Sequence, residues 1–307
     1  MINYPSQIVA VAGSSGLVGS ALTAALEKDG HTVRRLVRRP VKDPNTEIYW
    51  KPSAGEIDAE KLSEVDAVVH LGGAGLTDSW WTEEYKQKIR DSRVNSTRLL
   101  SETLAGLSKK PRVHVNASAI GYYGVRGDEV IDETSPGGSG FLADTCREWE
   151  AATQPSWESG IRVCQMRIGV VLSADGGALA KMLTPFRMGV GGVLGSGKQY
   201  MSWVALPDLI AAIQFALDHD PLHGAVNTTA PNPVTNREFT KMLGTVLNRP
   251  TVVHTPAFAV RLMAGREMAD EILLGGAKIY PRRLQAEGFE FTCANIQTAL
   301  ETVLGVN

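Results

Sequence analysis

Gly13-Ser14-Ser15-Gly16-Leu17-Val18-Gly19 stands between an apolar, β-branched run ending at Ala12 and a stretch with helical spacing from Leu17. A G-x-x-G-x-x-G turn in that position suits a dinucleotide pyrophosphate. Its first glycines let the backbone turn sharply and approach phosphate oxygens, the helix start offers N–H groups and a positive dipole end, and Gly19 lets helix and sheet pack closely. The end of the second strand reads cofactor type, because an acid there binds the ribose hydroxyls of NAD. This chain has Arg38 and Arg39 instead. A guanidinium pairs bidentately with a 2′-phosphate, so the expected cofactor is NADP(H). A third strand ends in His70-Leu71-Gly72-Gly73, where Leu71, Gly72 and Gly73 leave room for the adenine-ribose side. His70, in an otherwise apolar strand, is expected to be packed and hydrogen-bonded rather than reactive.

Two further patterns resemble chemistry and fail on inspection. Gly192 to Gln199 is one residue short of a triphosphate-binding loop, lacks the hydroxyl that would hold magnesium, and leads into strand-like YMSWV instead of a helix. The same loop, with Arg187, Met201 and Trp203, is expected to line a partly apolar substrate cleft. His219 and His223 flank Pro221, so they share no regular helical face, and no acid or cysteine completes a ligand set. No metal is expected.

The elements that must position these residues alternate. Strands are expected at 7–12, 32–37, 66–71, 112–118, 161–168 and 225–228, and helices at 17–27, 82–106, 141–153, 205–218 and 236–247. Thr235 or Asn236 could cap the last of these. Such alternation predicts an α/β fold, a doubly wound Rossmann-type parallel sheet covered on both faces. Residues 170–203 are glycine-rich around an amphipathic piece near 177–188, as in active-site loops. The expected division is a nucleotide-binding domain over 1–245, with those loops, and a small C-terminal lobe over 250–307, mixed helical with Pro281 inside it.

The bulk properties narrow the partners. A net charge of -2 offers no overall basic field for nucleic acid or an anionic membrane, so a small molecule is the expected partner. No apolar run approaches the roughly 20 residues that span a bilayer, and the N-terminus lacks the cationic start of an export signal. Three cysteines without C-x-x-C spacing suggest reduced thiols in the cytoplasm. Oligomeric state stays open, a homodimer being one form.

GSSGLVG, DAVVHLGGAG, WWTEEYKQKIRDSRVNSTRLL, NASAIGYYG, the long run from Gly169 to Trp203, PVTNREF and PRRL together resemble the atypical extended short-chain dehydrogenase/reductases, an epimerase-like family with a small C-terminal domain of unknown function. The resemblance covers nearly the whole chain. It implies NADP binding through the glycine turn, Arg38, Leu71 and Gly72, with further contacts from Arg93 and from Val170 and Val171. Reductases and epimerases of that superfamily use Tyr-x-x-x-Lys, the lysine lowering the tyrosine pKa for proton transfer. Alignment on Glu150 places Leu142 and Cys146 at those two positions, so the pair is missing. The remaining candidates are Ser118, to orient a carbonyl by hydrogen bonding, and Tyr122 or Tyr123, to give a proton. Cys146 is expected to be buried and inert. The expected function is an NADP(H)-dependent oxidoreductase acting on a small carbonyl or enone. Nucleotide-sugar epimerisation or dehydration, and a non-catalytic NADP(H) redox sensor, are the alternatives.

Overall fold

The computed structural model describes residues 6–306. Its central sheet has eight strands: β1 (Ile8–Ala12), β2 (Thr32–Val37), β3 (Glu47–Lys51), β4 (Glu56–Ile57), β5 (Ala67–His70), β6 (Val113–Ala119), β7 (Arg162–Ile168) and β8 (Gly224–Thr228). Their order across the sheet is β8-β7-β6-β5-β1-β2-β3-β4. All neighbours are parallel except the edge strand β4. The chain winds outward in one direction from β1 and in the other from β5, so a crevice opens between their carboxyl ends, where such sheets bind ligands. β3 and β4 are not among the strands the pattern marked. They are short, lie between Pro44 and a single helical turn at Ala59–Leu62, and lack the long following helix that betrays the other units.

Alternation along each strand serves both faces. Val9 and Val11 join Leu22 and Leu26 of α1 (Leu17–Lys28), whereas Ala10 and Ala12 face Leu100 and Leu104 of α2 (Glu83–Gly106). Thr82 caps α2 by accepting from the Tyr85 N–H, with Glu83 and Glu84 complementing the helix dipole. α3 (Phe141–Ala151) follows β6.

The glycine-rich region forms α4 (Gly177–Arg187) and short strands, including Val170–Leu172 paired with Trp203–Ala205, before α5 (Leu206–Asp218). α6 (Asn236–Leu247) begins with a capping box of Thr235 and Glu238. The C-terminal region holds α7 (Ala257–Ala264) and α8 (Ile296–Leu304), and Pro281 stands at the start of a short helix instead of inside one. A second core joins Leu172, Leu183, Phe186, Trp203 and Phe239 to Ile296, Ala299 and Leu300. The C-terminal segment therefore shares its core with 172–243, and a cut at 245–250 does not separate two cores. Among the described residues no helix is long and apolar enough to cross a membrane.

Candidate functional site

Three glycines of the turn after β1 do different work. Gly13 has φ +81°, and a Cβ there would lie 2.8 Å from the Leu71 carbonyl carbon. A Cβ on Gly19 would lie 2.1 Å from the Gly13 oxygen, so α1 can pack on the turn only without it. Gly16 is different: its φ is -80°, it is exposed, and a Cβ would meet only the Gly13 oxygen at 3.4 Å. The protein's own packing does not require glycine at 16, whereas an anion drawn up to the α1 N-terminus would. Ser15 is exposed beside it, Val18 packs partly into the core, and Leu17 lies against Gly176 and Gly177, tying the turn to the substrate-side region.

The two arginines after β2 separate. Arg39 is paired with Glu47, a grip that holds the Glu47 carboxyl down at about 2. Arg39 is thus committed within the protein, contrary to its expected place at the phosphate. Arg38 is exposed and makes no salt bridge among the described residues.

At the end of β5, His70 is fully buried, its Nδ1 3.0 Å from Asn116 Oδ1 and from Thr97 Oγ1, and its Nε2 3.3 Å from Ser96 Oγ. Burial pushes its pKa down to about 4, the packed histidine the strand pattern implied. Leu71 and Gly72 are half-buried and Gly73 is exposed. The Arg93 guanidinium lies over Gly73, where a Cβ would be 3.1 Å away, and 5.3 Å from the Trp149 ring. It donates to the Ile89 carbonyl at 3.0 Å and has no carboxylate partner among the described residues, and burial lowers its pKa. An unpaired, desolvated cation at a strand end suits a phosphate or ribose group. Across the crevice the Val170 N–H donates to the Ser202 oxygen at 2.9 Å and its carbonyl lies in the parallel ladder with Trp203 and Val204, so its side chain is what remains for a ligand, and Val171 is half-buried next to it.

The carboxyl end of β6 carries the proposed chemistry, and its geometry corrects one expectation. Ser118 is 2% exposed and donates to Glu150 Oε1 at 2.6 Å, so its hydroxyl is not presented to a carbonyl. Ser118 opposes Arg167 in the β6–β7 register, and Arg167 donates to both Glu150 oxygens at 2.8 Å. A third Arg167 donor reaches the Tyr123 hydroxyl at 2.8 Å, and Tyr123 donates to Asn227 Oδ1 at 2.7 Å. Burial opposes the Arg167 charge, but the Glu150 hydrogen bonds and charge outweigh it and its pKa rises. Burial pushes Tyr123 up to about 12. Tyr123 thereby belongs to the support.

Tyr122 is half-buried, its ring 3.5 Å below the Arg167 guanidinium and against Gly137. Sequence reasoning did not assign this network. Its one signal was an arginine inside the apolar run RVCQMRI. At the two positions of the missing pair, Leu142 packs on Gly121, and Cys146 is buried, its thiol pushed up to about 12 by burial and by the Glu150 charge.

His219 bonds Glu287 at 2.7 Å and His223 stacks on Trp157, so the two histidines serve separate contacts. Among the described residues no three His, Cys, Asp or Glu converge as metal ligands.

A doubly wound parallel sheet with a glycine turn after its first strand, an exposed arginine without a salt bridge among the described residues after its second and a long substrate-side region defines a Rossmann-type protein of the extended short-chain dehydrogenase/reductase class. The family comparison is specific: residues 9–227 match the NAD dependent epimerase/dehydratase family and residues 255–303 match a domain of unknown function (DUF1731), and the chain belongs to that epimerase family. It is 48% identical to the epimerase family protein Mb2239 of Mycobacterium bovis over 95% of this chain and 96% of that one. Its structure resembles the human epimerase family protein SDR39U1 (isoform 2), crystallised with NADPH, with TM-score 0.88, 32% identity and coverage of 97% and 99%. It also resembles a nucleoside-diphosphate sugar epimerase from Corynebacterium glutamicum with TM-score 0.81 and 35% identity, over 98% of this chain and 59% of that one.

Proposed function

We propose that this chain binds NADP(H) and is an oxidoreductase acting on a small carbonyl-type substrate. The carrying observation is Gly16, a glycine that neither backbone angle nor packing demands, at a helix N-terminus within the crevice. The solved human relative, crystallised with NADPH, supports the same choice of cofactor. The turn residues Gly13, Ser15, Gly16 and Leu17 would hold the pyrophosphate, with Val18 and Gly19 fixing the helix beneath. Arg38 would pair with the 2′-phosphate, Leu71, Gly72 and Gly73 would face the adenine-ribose side, and Arg93, Val170 and Val171 would complete the far wall.

Bound NADPH supplies a hydride to a carbonyl or enone carbon. Tyr122, fixed between Arg167 and Gly137, is the hydroxyl assigned to hand over the proton, directly or through water. Glu150 and Ser118 act on it through Arg167, as positioning groups.

A second reading, an NADP(H)-binding protein without turnover, is favoured by Leu142 and Cys146 standing where the acid/base pair would be. Epimerisation of a nucleotide sugar, the activity in the name of the Corynebacterium relative, would need that same pair. Titration calorimetry with NADPH and NADH, repeated on Arg38→Ala, tests binding, and an NADPH-oxidation screen over carbonyl compounds tests turnover. Tighter NADPH binding that Arg38→Ala abolishes, with any carbonyl reduced, is the expected result. Binding without turnover leaves the second reading, and binding of neither nucleotide defeats both.

A further inference from the structure

α7 is turned the wrong way for a helix that only supports a core. Val260 is its one buried large apolar residue, whereas Phe258, Leu262 and Met263 are 72%, 78% and 72% exposed. The same surface continues through Val252 and Val253 just before it, and through Met188 and Val190, because Val253 pairs with Gly192 and Gly189 lies against Pro250. On the other side Gly265 packs on the exposed Trp80 ring. Exposed apolar residues scattered singly mean little, but a contiguous ridge marks an interaction face.

The charge around the ridge indicates its occupant. Residues 176–207 and 239–266, which carry all of it but Trp80, contain seven lysines and arginines and no aspartate or glutamate. Of those seven, Lys181 pairs with Asp78 and Arg261 and Arg266 share Asp270, while Glu267 pairs with Lys86 of α2. Arg187, Lys198 and Lys241 are exposed without a carboxylate partner among the described residues, and Arg249 donates only to the backbone carbonyls of Arg187 and Asn248. The net charge of -2 hides this asymmetry. A second copy of the chain fits poorly, because two-fold pairing would set one cationic rim against the other.

We infer that α7 and its neighbouring ridge dock on the surface of an anionic lipid bilayer, with Phe258, Leu262 and Met263 at the acyl boundary and the rim cations at headgroup phosphates. This contact is peripheral and reversible, and it replaces the expectation, drawn from net charge and the absence of a bilayer-length apolar run, of no membrane partner. The test is sedimentation of the full chain with vesicles of phosphatidylcholine alone or mixed with phosphatidylglycerol, alongside Leu262→Glu and Lys198→Glu. Both substitutions fall on exposed side chains, and an unchanged melting midpoint shows that they fold. Binding should appear with the anionic vesicles, weaken as salt is raised, and fall at least about tenfold in Leu262→Glu. Equal binding to both vesicle types, no binding to either, or wild-type binding by Leu262→Glu overturns the inference. Light scattering that shows a dimer which Leu262→Glu dissociates also overturns it, assigning the ridge to a second copy.

Discussion

Alanine substitutions at Gly16 and Gly19 should have opposite consequences. Inside α1, Gly19→Ala ought to gain about 1 kcal/mol from helix propensity. The new Cβ, however, would stand 2.1 Å from the Gly13 oxygen, 2.7 Å from its carbonyl carbon and 2.8 Å from the Ser14 Cα, all backbone atoms of a turn fixed between strand and helix. Forcing that turn open costs about 3 kcal/mol, the upper part of the range for overpacking, so the net loss is about 2 kcal/mol. For a chain of this size that lowers the melting midpoint by about 3 °C. Gly16→Ala meets nothing closer than 3.4 Å. Its gain from a stiffer unfolded chain, about 0.4–1 kcal/mol, roughly cancels the loss of a glycine N-cap. Its cost should fall on the ligand: keeping phosphate oxygens from one turn amide forfeits a charge-assisted hydrogen bond of about 1.5–3 kcal/mol, or about 10- to 100-fold in NADPH affinity. Thermal unfolding without nucleotide and calorimetry with NADPH separate the two effects. Gly16→Ala that binds NADPH like the wild type, or Gly19→Ala that melts with it, would refute the division of labour.

Arg38→Ala should remove the preference for NADPH over NADH, by about 10- to 100-fold in affinity ratio, whereas Arg39→Ala, which frees Glu47, should leave that ratio unchanged; paired titrations decide. Glu150→Gln leaves the buried Arg167 charge without its carboxylate and should cost about 3–5 kcal/mol in denaturant unfolding, more than any single exposed ion pair. Tyr122→Phe should lower kcat on any reduced carbonyl while leaving NADPH affinity and the melting midpoint near wild type; an unchanged kcat would remove Tyr122 from the proton-transfer role. His70 and His114 are fully buried, and burial pushes them down to about 4 and about 3. The unfolded chain then binds more protons between those values and about 6.5, so stability is full above about pH 6.5 and falls on acidification, by about 3 kcal/mol for each by about pH 4.5. Unfolding curves that do not change between pH 7 and pH 4.5 would contradict it.

The sheet was legible because its strands are apolar runs followed by long amphipathic helices, and the observed ends of β1, β2, β5, β6, β7 and β8 fall within a residue of the pattern. β3 escaped because no such helix follows it. The glycine turn was equally legible at Gly13 and Gly19, whose backbone angle and close packing only glycine meets, whereas Gly16 carries no such requirement. What the sequence hid was pairing. Arg38 and Arg39 are adjacent and alike on paper, and only the arrival of Glu47 from β3, a strand not foreseen, separates them. Ser118 looked like a carbonyl-orienting serine because the direction of its side chain depends on register, which sets it opposite Arg167 and above Glu150 on the buried side. α7 read as one more helical segment, since periodicity reports that a helix is amphipathic without saying which face the rest of the protein covers.

The lysine of Tyr-x-x-x-Lys performs two tasks, holding the cofactor ribose and keeping a positive charge beside the tyrosine. Under the proposed function those tasks would fall to two cations from different elements. Arg93 lies over Gly73 and 5.3 Å from the ring of Trp149 on α3, the helix that carries Cys146 at the lysine position, so α2 brings a cation against α3. Having no carboxylate partner, Arg93 remains available to a ligand anion. Arg167 is the reverse case: it carries its charge to the Tyr122 ring, but Glu150 neutralises it and fixes its plane. An Arg93→Ala variant should weaken NADPH binding without altering the Tyr122 environment, and an Arg167→Lys variant, which keeps the charge but cannot reproduce the bidentate grip, should disturb Tyr122 without weakening NADPH binding. If both variants lose cofactor and turnover together, the two cations form a single unit and the division is wrong.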